Sequence, residues 1–302
     1  GFFARLKLSV ADVSGTDDTA ADNSAYGLNA LDAITTGDGN TALGYRAGSA
    51  VNTGGNNTII GKRAGEDLTS GNSNVMIGED AGANQTDASA NVIVGQGAGE
   101  AVTTGGFNTL IGQNSGNSFD AETHNLAVGV SALSGSVAGG EFNVAIGNYS
   151  LDALTSGDNN TAIGYNAGTG ITTGASNTII GEEAGIAITE GGGNVAVGME
   201  ALKNEDAHGF NTAIGTQALF TQNAGANAYN TAVGYQSGGS ITTGVKNVAV
   251  GGLTLDASDT GKENTAIGHQ ALTSDTKGNR SVAVGAGALT TQNFTSDTSV
   301  YN

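Results

Sequence analysis

The sequence predicts an all-β fold, a parallel β-solenoid or β-roll of about sixteen 17-residue turns, on three observations. The motif Asn-(Thr/Val)-(Ala/Ile)-(Ile/Val)-Gly recurs from Asn23 to Asn264, with Ser281 standing in for the last asparagine. Only two gaps break the period, 18 residues from Asn125 to Asn143 and 19 from Asn211 to Asn230. Glycine contributes 51 residues while proline is absent, which rules out collagen, since no Gly-X-Y period exists either. Self-similarity at a fixed short period means stacked, structurally equivalent units. Disorder is disfavoured because a disordered chain has no reason to hold Ile, Val and Leu in strict register ahead of each motif glycine.

Numbering the asparagine as position 1, each element of a turn can be justified in order. Position 2 is Thr or Val (Thr58, Val75, Thr161, Val195) and position 4 is Ile, Val or Leu (Ile60, Ile77, Ile163, Val197). Alternation places both on one face of a short strand, where β-branched side chains stack on their equivalents one turn away. On this reading that face is the stacked core, and Ile163→Asp unfolds the neighbouring turns. Position 3, mostly alanine (Ala42, Ala145, Ala162) but larger at Ile59, Met76, Ile93, Leu110 and Ile179, faces the other way. It is expected to pack against another chain.

Gly44 and its equivalents at position 5 end the strand through positive φ or close approach of a second backbone. Small residues at position 8 (Ala47, Ala64, Ser115, Ala167) mark a tight passage. Segments such as Ile34–Gly37, Val102–Gly105, Leu154–Gly157 and Ile241–Gly244 read as a second strand closed by a glycine turn. Stacked asparagines at position 1 can form an amide ladder one strand spacing apart, so Asn160→Ala is expected to cost more than Asn223→Ala.

Two regions follow: an N-terminal strand and acidic connector over 1–22, and the repeat array over 23–302. Phe2 to Val10 alternates apolar and polar residues, as a strand does, and can either link to a preceding domain or complete a neighbouring subunit's sheet. The start at Gly1 reads as a processed product or an excerpt, and Thr298–Tyr301 falls where a seventeenth turn would begin.

The net charge of −18, with no Lys or Arg between Arg63 and Lys203, argues against nucleic acid and anionic membranes as partners. Cysteine is absent, so stability has to come from repetition, and no apolar run is long enough for a transmembrane helix. His124, His208 and His269 lie at different repeat positions and form no metal or triad spacing. Gly55–Lys62 only imitates a phosphate loop, with Arg63 in place of the Ser or Thr. Corner carboxylates (Asp38, Asp158, Glu79 with Asp80, Glu182 with Glu183) are candidates for calcium but lack the repeated aspartate of a calcium nonapeptide. No enzymatic activity, cofactor or metal is expected. The longest irregular corner, Phe220–Tyr229, offers two aromatics and several amides, a composition that could contact sugars.

Segments such as Asn160-Thr-Ala-Ile-Gly-Tyr-Asn-Ala-Gly168 and Asn264-Thr-Ala-Ile-Gly-His-Gln-Ala-Leu272 resemble the repeats of phage tail-fibre proteins. They are also similar to the Val-Ala-Ile-Gly head repeats of trimeric autotransporter adhesins, whose repeat is usually shorter. The resemblance implies a homotrimer of parallel β-rolls, left-handed in the adhesin heads, on a virion tail fibre or cell surface. It also implies attachment to a host-surface glycan or protein. Two alternatives are an extracellular homopolymeric filament joined by the N-terminal strand and a monomeric ice- or sugar-binding solenoid.

Overall fold

The computed structural model describes residues 8–10, 20, 22–135, 139–294, 296 and 298–299. It comprises two compact units, 1–148 and 149–302. In the first, β1 (Leu8–Val10) precedes eight strands: β2 (Ser24–Tyr26), β3 (Thr41–Leu43), β4 (Thr58–Ile60), β5 (Val75–Ile77), β6 (Val92–Val94), β7 (Thr109–Ile111), β8 (Leu126–Val128) and β9 (Val144–Ile146). Strands β2 to β9 pair in parallel, each with its equivalent one turn on, as in Thr58↔Val75 and Ile60↔Ile77. The second unit repeats the plan with β10 (Thr161–Ile163), β11 (Thr178–Ile180), β12 (Val195–Val197), β13 (Thr212–Ile214), β14 (Thr231–Val233), β15 (Val248–Val250) and β16 (Thr265–Ile267). It closes with β17 (Gly278–Asn279), β18 (Val282–Val284) and β19 (Thr298–Ser299). Here β10 to β16 and β18 form the parallel sheet, and β17 pairs with β19. The chain is thus a regular parallel β-solenoid of 17-residue turns, each with one three-residue strand in the main sheet.

The two faces of the strand are the reverse of the sequence expectation. Position 3 points inward, with Ala42 at 2% exposure and Ile59, Met76, Ala162 and Ile179 at zero. Positions 2 and 4 point outward and are half-buried or exposed. A 17-residue coil encloses a narrow interior. Size alone does not choose the face, because position 3 stays inside where it is Ile59, Met76 or Leu110; the parallel register keeps one column enclosed in every turn and leaves positions 2 and 4 outside.

The inner volume is shared between positions 3 and 9. All five turns with a bulky position 3 (Ile59, Met76, Ile93, Leu110, Ile179) have glycine at position 9 (Gly65, Gly82, Gly99, Gly116, Gly185). A Cβ on Gly65 would lie 2.8 Å from Met76 Cε, and one on Gly116 would lie 2.7 Å from Leu110 Cδ2. Where position 9 is leucine, position 3 is alanine; Leu133, Leu151, Leu202, Leu219, Leu255 and Leu272 are fully buried and Leu31 nearly so, while Leu289 in the last turn is 38% exposed. These leucines accept a left-handed backbone, φ +52 at Leu202. That conformation costs about 1 kcal/mol, which burial of the side chain exceeds. In the Ala/Gly turns the previous turn's leucine fills the gap: Leu31, Leu151 and Leu219 approach the Cβ sites of Gly48, Gly168 and Gly238 to 3.0–3.1 Å.

The asparagine ladder is present and buried. Asn57, Asn74 and Asn91 each donate a backbone N–H to the previous asparagine's Oδ1 at 2.9–3.0 Å. Nδ2, however, mostly braces its own turn, Asn57 to the Gly71 carbonyl at 2.9 Å and Asn247 to Gly261 at 2.8 Å. Direct amide-to-amide donation is added at Asn57 (3.0 Å), at Asn74 and Asn177 (both 3.1 Å) and at Asn143 (3.3 Å). At the last turn Ser281 cannot reach across, and Gln292 Nε2 donates to its hydroxyl instead, at 2.9 Å.

Position 5 meets both expectations at once: Gly164 has φ +141, and a Cβ there would sit 2.5 Å from the Gly181 carbonyl oxygen. The second strand expected at Ile34–Gly37, Val102–Gly105, Leu154–Gly157 and Ile241–Gly244 is absent, and these segments are bends. Successive N–H groups of Thr35, Thr36 and Gly37 converge on the single carbonyl of Asn52 at 3.0–3.2 Å. An extended strand would send them alternately to opposite sides.

Of the N-terminal strand, only Leu8–Val10 falls among the described residues; Gly1–Lys7 and Ala11–Thr19 lie outside them. Strand β1 pairs antiparallel with β2 of its own chain, Leu8 opposite Tyr26, and so occupies the first edge of the repeat sheet.

Candidate interaction face

Because position 3 is turned inward, each unit presents two outward columns along its sheet. In the second unit position 2 runs Thr161, Thr178, Val195, Thr212, Thr231, Val248, Thr265 and position 4 runs Ile163, Ile180, Val197, Ile214, Val233, Val250, Ile267. Exposure reaches 36% at Ile163 and 40% at Ile267. In the first unit Leu43 reaches 45%. Eight strands at about 4.8 Å by three residues at about 3.3 Å make a flat face of roughly 400 Å² per unit. That lies within the size range of the largest apolar patches soluble monomers expose, patches that are often functional.

The corner charges form ladders. Lys62 pairs with Glu79 at 2.7 Å, and Arg63 pairs with Glu66 at 2.8 Å and Asp80 at 3.1 Å. The hydrogen bond to Glu79 holds the Lys62 ammonium above its ordinary pKa and, reciprocally, Glu79 below its own. In the second unit Gln236 Nε2 donates to Gln217 Oε1, Gln217 Nε2 to Glu200, and Lys203 to both Glu200 and Glu183. These pairings occupy Glu79, Asp80 and Glu183 of the calcium candidates. Among the described residues no group of three or more His, Asp or Glu side chains could hold a metal ion.

The histidines stay apart. His124 stacks between Phe107 and Phe142, centroids 5.1 and 5.0 Å away, in the column just before the asparagine. His208 lies against Glu205, Nδ1 to Oε1 3.4 Å. Glu205 is fully buried at position 12, where other turns place Ile34, Val51, Leu68 or Ile188. Burial pushes its carboxyl above the ordinary value, against the attraction of His208. Sequence reasoning missed this pair, although a carboxylate directly after the apolar run Leu154, Ile171 and Ile188 in that column was its signal. The two aromatics of the irregular corner also separate: Tyr229 stacks on Phe210 at 5.3 Å, whereas Phe220 faces Lys203, Nζ 5.8 Å from the ring centroid. The insertion leaves the buried Asn211 Nδ2 without a protein partner, because the corner that should brace it is displaced.

No known protein family matches the chain, and no curated protein is similar to it in sequence. The fold and its repeat define the class, a parallel β-solenoid repeat protein.

Proposed function

We propose that this chain is a structural fibre segment, a trimeric β-solenoid of a viral tail fibre or surface adhesin that gives extended reach and surface attachment. The observation that carries the reading is the outward apolar face of each unit. Three chains packing these columns against one another would remove from water the Ile and Val side chains that a monomer leaves wet. The seam is therefore positions 2 and 4, not position 3. Excess negative charge on the remaining surface favours solubility of the assembled fibre and suits neither nucleic acid nor anionic membrane. The ladders of corner ion pairs are structural, and the chain carries out no chemistry of its own.

Light scattering coupled to size exclusion tests this directly. The expected mass is three times the chain's 29.6 kDa, both for residues 1–302 and after deletion of 1–22. A monomer would remove the fibre reading and favour a binding solenoid, whose outward Thr and Val rows form a flat array. Polymers that vanish on deletion would instead make the N-terminal strand a joint, with β1 exchanged from its own β2 onto a neighbour's.

A further inference from the structure

The second unit contains a cleft of about 360 Å³ that the repeat itself explains. At position 10, four consecutive turns carry Lys203, Phe220, Gly239 and Asp256. Backbone bonds confirm the register: Asn204 N–H to the Phe220 carbonyl at 3.3 Å, and Thr221 N–H to the Gly239 carbonyl at 3.2 Å. Gly239 contributes no side chain, so a slot opens between Phe220 and Asp256. Two turns separate them, about 9.6 Å at one strand spacing per turn. Gln217 and Gln236 line the slot from position 7, and Ser240 borders it.

The slot has one apolar plane and several hydrogen-bond acceptors. Lys203 approaches Phe220 from the preceding turn, and the gap left by Gly239 lies on the following one. The amide chain from Gln236 to Gln217 to Glu200 runs in one direction, so its acceptor end is Gln236 Oε1; the next residue in that column is Leu253. Among the described residues no ion pair engages Asp256. A ligand that fits offers a flat C–H face to the ring and several O–H donors to the amide, carboxylate and hydroxyl. A quaternary ammonium ion fits less well, having no donors and meeting a ring already faced by Lys203.

We propose that the Phe220–Gly239–Asp256 slot is a binding subsite for one pyranose ring of a neutral glycan. The ring stacks on Phe220, and its hydroxyls donate to Asp256 and Gln236. The inference adds a ligand class to the surface-attachment reading but does not need the trimer, because the slot lies on one chain away from the outward strand columns.

The test is saturation-transfer NMR on the full chain with methyl β-D-glucopyranoside and methyl β-D-galactopyranoside, each against tetramethylammonium. Gly239→Gln fills the slot without a positive φ; its Cβ would lie 3.3 Å from the Gln236 carbonyl oxygen, a tight contact that needs a small shift, so the melting temperature is read alongside and Phe220→Ala serves as the second variant. The expected result is transfer to the C–H face of at least one glycoside, lost in Gly239→Gln and in Phe220→Ala at an unchanged melting temperature. Absence of transfer to both glycosides overturns the proposal, as does transfer that persists in Gly239→Gln, or saturation of tetramethylammonium in preference. Oligomeric mass is read separately, so failure of the slot and failure of the fibre reading are distinguishable.

Discussion

Asn177 Oδ1 accepts the backbone N–H of Asn194 at 2.9 Å, while the same amide's Nδ2 donates to the Gly191 carbonyl at 2.8 Å. One buried side chain thereby ties two turns together and braces its own. Replacing it with alanine orphans a buried donor and a buried acceptor. We predict that Asn177→Ala destabilises its turn by about 2–4 kcal/mol. Asn223→Ala, on an exposed corner, should stay within about 0.5 kcal/mol. Asn211→Ala falls between, since its Nδ2 has no protein partner to lose. Native-state hydrogen exchange of the amides around Asn194 and Asn230 measures the three; equal protection in all variants would remove the brace argument.

The shared inner volume predicts a compensating pair. Ala196→Ile overfills a turn that already holds Leu202, and Leu202→Gly empties it. Each single change should cost about 1–5 kcal/mol. The double variant reproduces the Ile179/Gly185 turn next to it and should recover most of that loss. A double-mutant cycle from denaturant melts gives the coupling, and additive costs would contradict the shared volume.

The two strand faces can be separated by one charge each. Ala162 is fully buried, so Ala162→Asp should unfold its surroundings at a cost of more than about 3 kcal/mol. Ile163 is 36% exposed, so Ile163→Asp should leave circular dichroism unchanged and reduce the mass in light scattering. A chain that unfolds on Ile163→Asp would restore the core assignment expected from sequence.

Glu205 predicts a pH dependence with a definite sign. Its folded-state pKa lies above the ordinary 4.5, chiefly through burial, with His208 the facing titratable group. By register its neighbours in the position 12 column are Ile188 and Gln222, both uncharged. Below about pH 4.5 folded and unfolded chains both hold the proton; above it the unfolded chain loses its proton first. This residue's contribution is therefore fully present at low pH and lost as pH rises through the raised folded pKa. Glu205→Gln should match the wild-type melting temperature in acid and exceed it at neutral pH. A difference independent of pH would exclude Glu205 as its source.

How much was legible follows from these residues. The strand at Thr161–Ile163, the ending at Gly164 and the small Ala167 can each be placed from the sequence because they recur in every turn. The Thr35-Thr36-Gly37 segment misled because β-branched residues followed by glycine describe a bend as well as a strand. Only backbone direction, with three N–H groups aimed at Asn52, separates the two. The Phe220 slot depends on which residues of successive turns stand in one column, and Gly239 becomes informative only as a missing neighbour of Phe220.

By itself the sequence determined the period, the strand at each turn and the buried amide column, because repetition forces equivalent residues into equivalent hydrogen bonds. Only the tertiary structure decided which face of that strand lies inside. Alternation assigns Thr161, Ala162 and Ile163 to two sides without saying which is enclosed. The side that encloses position 3 also buries Asn160, Ala167 and Ile171, and one parallel register holds the whole column there, Ile179 of the next turn included, so positions 2 and 4 face out.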